Sequence, residues 1–143
     1  MSSRPSSHHH SVAFESSLVE LRDSYLRYLR RQRRCRRDLG QLGHRLNKFI
    51  VWASQHRVYW IDDVDSVLLD DYRYYLNLPR RLTGFRNSLP LQTEHLDCLR
   101  DWLFWMHREE WTVRNLGYDV GEPLYRERYH KWCSAKKQKQ SGS

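Results

Sequence analysis

The stretch LGQLGHRLNKFIVWA, residues 39–53, decides the fold of this chain. Its apolar residues Leu39, Leu42, Leu46, Phe49 and Ala53 recur at steps of three and four, so at about 100° per residue they form one ridge along a helix. Polar residues fall on the opposite side. Arg37, Gln41, His44 and Lys48 make a continuous stripe there, with Arg45 on its flank, and Asp38 stands ahead of the ridge as the expected cap. A helix that is apolar on one side predicts neighbouring helices inside, and its basic outer stripe is either an ordinary solvated face or the face for an anionic partner.

Toward the N-terminus the chain reads RDSYLRYLRRQRRCRR from Arg22 to Arg37, eight arginines against one aspartate. Within and before that run, Phe14, Leu18, Leu21, Tyr25, Tyr28 and Leu29 keep the helical spacing, which predicts a first helix over about 14–33. The arginines at 22, 27, 30, 31, 33 and 34 scatter around it and define no single side, so they predict non-specific attraction for phosphates.

Toward the C-terminus, WIDDVDSVLLDDYRYYLNLP predicts a third helix. Asp65 or Ser66 caps it, Leu68, Leu69, Tyr72, Tyr75 and Leu76 form its ridge, and Pro79 stops it. A basic loop follows. Ser88 and Pro90 then give a cap and a first-turn proline, and Leu96, Leu99, Leu103 and Met106 make a fourth ridge ending near Glu110. The turn-rich WTVRNLGYDVGEP leads to a short fifth helix from Leu124 to Cys133. No segment alternates long enough for a sheet. The fold class predicted is all-α, a compact orthogonal bundle of four to five helices.

At 143 residues the chain is long enough for one domain with a modest core. Residues 1–13 read as a disordered Ser-rich tail, 14–123 as the helical domain, and 124–143 as a short helix or linker with a mobile basic tail. The net charge of +8 and pI of 9.7, with aromatic residues interleaved among the basic ones, put nucleic acid ahead of an anionic membrane as partner. No stretch approaches the ~20 apolar residues of a spanning helix, and no signal peptide is recognisable, so the expectation is a cytoplasmic protein without a membrane partner. Cys35, Cys98 and Cys133 are too few and too scattered for a disulfide framework, and fit reduced thiols.

Two sharper motifs compete with bland readings. His95 with Cys98, and His130 with Cys133, have a His-x-x-Cys spacing that could supply half a zinc site each. His95 and Cys98 fall inside an amphipathic helix, however, where a cysteine packs as a small hydrophobe, so neither metal nor cofactor is expected. Trp102, Trp105 and Trp111 could stack on unpaired bases, but residues of that size more often build the core.

In order, SLVELRDSYLRYL, LGQLGHRLNKFIVWA, IDDVDSVLLDDYRYYL and LQTEHLDCLRDWLFWMHREEWTVRNL resemble the SAM-like core-binding domain of tyrosine recombinases and phage integrases. The residues that carry the resemblance are Phe49 and Trp52, Ile61 to Asp65, Tyr72 to Leu76, Thr93, Leu99, Arg100, Phe104, Trp105 and Asn115, over roughly 14–123. It implies the non-catalytic half of a clamp that grips double-stranded DNA sequence-selectively, mainly through its second and fourth helices. On that basis the DNA-binding residues are Arg36, Arg37, Gln41, His44, Arg45 and Lys48, together with Gln92, Thr93 and Arg100. Glu94, Asp97 and Asp101 lie opposite the fourth ridge and would repel phosphates, which limits that helix to its first turn and the flank bearing Arg100. The sequence departs from the family in having Leu116 after Asn115, where Asn-Pro is usual, and in its long third interval. Arg80 and Arg81 in that interval either add phosphate contacts or are simply solvated.

The resemblance also implies a C-terminal catalytic domain in a longer parent chain, and it allows copies to associate on DNA. No His-x-x-Arg of the family's catalytic motif occurs in these residues, so the expectation is a binding half without enzymatic activity. The alternative is a basic helical module that binds RNA or an acidic protein.

Overall fold

Four α-helices form among the described residues, 17–79 and 87–124, of the computed structural model. They are α1 (Leu18–Arg31), α2 (Arg36–Gln55), α3 (Ser66–Leu76) and α4 (Leu89–Arg108), with 3-10 turns at Ile61–Asp63 and Leu116–Asp119. The architecture is an all-α bundle, as the helical periods predict. No strand forms among the described residues; an isolated antiparallel bridge joins Ser17 to Trp60, and the Leu18 amide donates to the Tyr59 carbonyl at 2.9 Å. The predicted fifth helix beyond Leu124, and the expected tail over 1–13, lie outside the described residues.

Helix starts follow side-chain chemistry. Ser17 Oγ accepts from the Glu20 amide at 3.1 Å, Asp65 Oδ1 from Leu68 at 2.8 Å, and Ser88 Oγ from Leu91 at 3.3 Å, each relieving an orphan donor of a first turn. Helix α2 differs from expectation. It begins two residues ahead of Asp38, which lies within its first turn, and the cap residue Cys35 makes no side-chain bond.

Helix ends share a second device. Arg33, Arg57 and Glu110 take left-handed backbone angles, with φ of 63°, 62° and 68°. At each, the following amide reaches back five residues, from Arg34 to Leu29, Val58 to Ala53 and Trp111 to Met106, at 3.3, 2.9 and 2.8 Å. These are Schellman closures in which a charged residue stands where glycine is usual.

The core lies where α1, α2, α3 and α4 face one another. Leu21, Leu46, Phe49, Leu69, Tyr72, Leu99 and Trp102 are almost wholly buried. Phe49 meets Tyr72 edge-on at 4.9 Å and Trp102 edge-on at 6.4 Å, a favoured geometry for ring quadrupoles. Trp105 is buried against Tyr25, ring centroids 5.2 Å apart, and Trp111 packs half-buried on the same cluster. All three tryptophans near the end of α4 are therefore core residues.

Polar fasteners join the elements. Asn87 Nδ2 donates to the Leu76 carbonyl at 2.9 Å, and Gln92 Nε2 donates to the Asn87 carbonyl at 3.0 Å, so the end of α3 is tied to the start of α4 beneath the surface. Asn87 is 5% exposed, and removing its amide would leave the Leu76 carbonyl without that donor. Asn87→Ala is expected to cost about 1–3 kcal/mol, read as a lower urea midpoint at unchanged m-value.

Candidate nucleic-acid interface

At 100° per residue, the buried Leu46, Phe49 and Ala53 orient α2, and the stripe opposite them faces outward. Arg37, Gln41, His44, Arg45 and Lys48 line one open groove of about 540 Å³. Its other wall comes from the entry and first turns of α4, through Asn87, Leu91 and His95. Five of the sequence-predicted residues are thus brought together in one depression, with no carboxylate among its described lining residues.

An ion pair spans the two walls. Arg45 Nη2 on α2 meets Glu94 Oε1 on α4 at 2.9 Å. Asp97 is similarly engaged by Arg100 Nη1 at 2.6 Å. The acidic side of α4 is therefore partly neutralised by this chain's own arginines, and the repulsion expected from its carboxylates is reduced.

At the foot of the groove is His95, 5% exposed and with no partner for its Nδ1. Burial first, and then the positive charge of Lys48, Arg45 and His44, lowers its pKa from 6.5 to about 4. His95 is therefore a neutral ring at pH 7. One turn further along, Cys98 is buried, its Sγ directed at the Leu42 carbonyl at 3.8 Å, and burial pushes the thiol up to about 12. That is the environment of a packed thiol. Among the described residues no group of three His, Cys, Asp or Glu side chains converges as a metal site, and His130 and Cys133 lie outside them.

The fourth-helix residues are placed differently from expectation. Gln92 has no exposed surface, and its amide is spent on Asn87, so it has no edge to present to DNA. The sequence contained the sign: Gln92 stands four residues before Leu96, in line with Leu96, Leu99, Leu103 and Met106 on the buried ridge. Thr93 is half-buried and bonds back to the Leu89 carbonyl at 2.9 Å. Arg100 is held by Asp97 and by the Val120 carbonyl at 3.3 Å, which makes it a strap for the segment after α4. Arg36 is exposed at the start of α2 but lies outside the groove, and Arg80 and Arg81 fall outside the described residues.

A second basic depression was not foreseen. Leu26, Arg30, Arg34, Arg36, Leu39 and Gly40 enclose about 610 Å³ at the corner between α1 and α2. Arginines that define no side on a helical wheel of α1 converge here because the Schellman closure at Arg33 turns the chain and carries Arg34 and Arg36 back beside Arg30.

No helix among the described residues is long and apolar enough to cross a membrane. Comparison with protein-family models, with curated proteins and with solved structures gave no match.

Proposed function

We propose that this chain binds double-stranded DNA through the outward stripe of α2, and that it is the core-binding half of a site-specific tyrosine recombinase. The supporting observation is the groove in which Arg37, Gln41, His44, Arg45 and Lys48 converge with no acidic residue among the described lining. Arginine and lysine there would neutralise phosphates, while Gln41 and His44 are exposed with the chemistry to meet base edges. The recombinase assignment rests on the sequence resemblance, and the charge pattern supports the DNA part of it.

Each phosphate neutralised contributes about −0.9 to the slope of log K against log salt on B-form DNA. Arg37→Ala combined with Lys48→Ala should therefore flatten that slope by about 1.8 for a duplex, with the fold intact by circular dichroism. Absence of duplex binding by the wild type at low salt would sink the proposal. Structured RNA and an acidic peptide in the same buffer give the competing result: tighter binding to either would transfer the groove to that partner. For the recombinase part, the coding sequence beyond Ser143 should encode an arginine, a His-x-x-Arg motif and a nucleophilic tyrosine.

A further inference from the structure

The helix that carries the basic stripe has two glycines in its first half, and the surroundings account for one of them. A Cβ on Gly43 would meet Leu26 Cδ1 at 3.3 Å, so Gly43 lets α1 and α2 approach closely. A Cβ on Gly40 would meet nothing within 4 Å among the described residues. Glycine in a helix interior is destabilising relative to alanine, and packing gives no reason for it here. A bare backbone on an exposed helix is suited to the close approach of something outside the fold.

The location of Gly40 says what approaches. At 100° per residue it lies between Arg36 on one side and the stripe of Arg37, Gln41 and His44 on the other. It is the residue shared by the two basic depressions, the α2–α4 groove and the α1–α2 corner. The first half of α2 is thus a low ridge with an arginine-bearing hollow along each flank. A helix with its side chains is about 10–12 Å across, and the major groove of B-form DNA is about 12 Å wide with a phosphate strand on each rim.

We infer that this ridge enters the major groove of a B-form duplex, with one phosphate strand in the α2–α4 groove and the other held at the α1–α2 corner by Arg30 and Arg34. This rests on the DNA reading above and adds to it a second phosphate site, a contact position at Gly40 and a duplex form. An A-form RNA duplex has a deep, narrow major groove that does not admit such a ridge. It can touch one hollow at a time.

The test uses the full chain, with DNA and RNA duplexes of one sequence, and reads binding against salt. Arg30→Ala combined with Arg34→Ala alters exposed residues of the corner and should flatten the DNA slope by about 1.8, two phosphates' worth, while leaving the shallower RNA slope nearly unchanged. Gly40→Trp projects into open space, so it should fold normally and bind DNA at least tenfold more weakly at an unchanged slope. Gly40→Ala should unfold at a temperature a few degrees higher than the wild type, confirming that the glycine is not there for the fold.

If the wild type binds DNA with a steep salt dependence but the corner variant keeps the full slope, the second phosphate site is refuted and the DNA reading survives. Wild-type affinity in Gly40→Trp removes the ridge, as does an RNA duplex with the same slope and the same sensitivity to that substitution. No DNA binding by the wild type at all ends both proposals together.

Discussion

Trp102→Ala should lower the free energy of unfolding by about 3–5 kcal/mol, the usual cost of emptying a large aromatic site. The indole has no exposed surface, meets the Phe49 ring edge-on at 6.4 Å, and sends Nε1 to the Leu21 carbonyl at 3.4 Å. It therefore joins α1, α2 and α4 at one point. Domains of this size have a total stability of roughly 5–15 kcal/mol, so the loss would leave a marginal or unfolded protein at physiological temperature. Trp102→Phe retains most of the volume and should cost less than half as much. Urea unfolding followed by circular dichroism measures both. A midpoint for Trp102→Ala within error of wild type would mean that the core does not close around this residue.

Acid should destabilise the chain through His95. Its folded pKa, near 4, lies below the ordinary 6.5, so the folded state prefers the neutral ring. The corresponding stability is fully present above about pH 6.5 and is lost as pH falls toward 4, where the unfolded chain takes up a proton that the folded one resists. Over that window the loss is on the order of 2–3 kcal/mol. Carboxylates titrate in the same range, so the informative quantity is a difference. The wild type should lose more stability than His95→Gln between pH 7 and pH 4, and the two curves should run parallel above pH 7. Identical curves throughout would show that His95 is solvated as a cation in the folded protein.

The fold was largely legible because each helix wrote its own ridge and two of them their own start. Asp65, Ser88 and Pro90 fix their helices by local chemistry, and ridges such as Leu96, Leu99, Leu103 and Met106 state which side is buried. Local signals fail where the cause is not local. Asp38 reads as a cap, yet the turn after α1 supplies a helical start at Arg36, and the aspartate ends up in the first turn. The resemblance assigns Gln92 to DNA, whereas its place in line with the buried ridge puts it inside, where its amide meets the Asn87 carbonyl.

The site was legible by halves for the same reason. Periodicity along α2 shows that Arg37, Gln41, His44 and Lys48 share a side, but not that Leu91 and His95 of α4 form the opposite wall. Nor does a wheel show that Arg30, Arg34 and Arg36 converge, since they belong to α1, to the turn after it and to α2, and meet only through the closure at Arg33.

The Arg45–Glu94 bridge keeps one of the groove's arginines on a carboxylate of this chain's own fourth helix. Such half-exposed pairs are worth only about 0–1 kcal/mol, so eviction of Glu94 is cheap for a ligand that brings several charges. A ligand with one charge exchanges one anion for another and gains almost nothing. At Arg45 the bridge would therefore favour a polymer of regularly spaced charges over a single carboxylate.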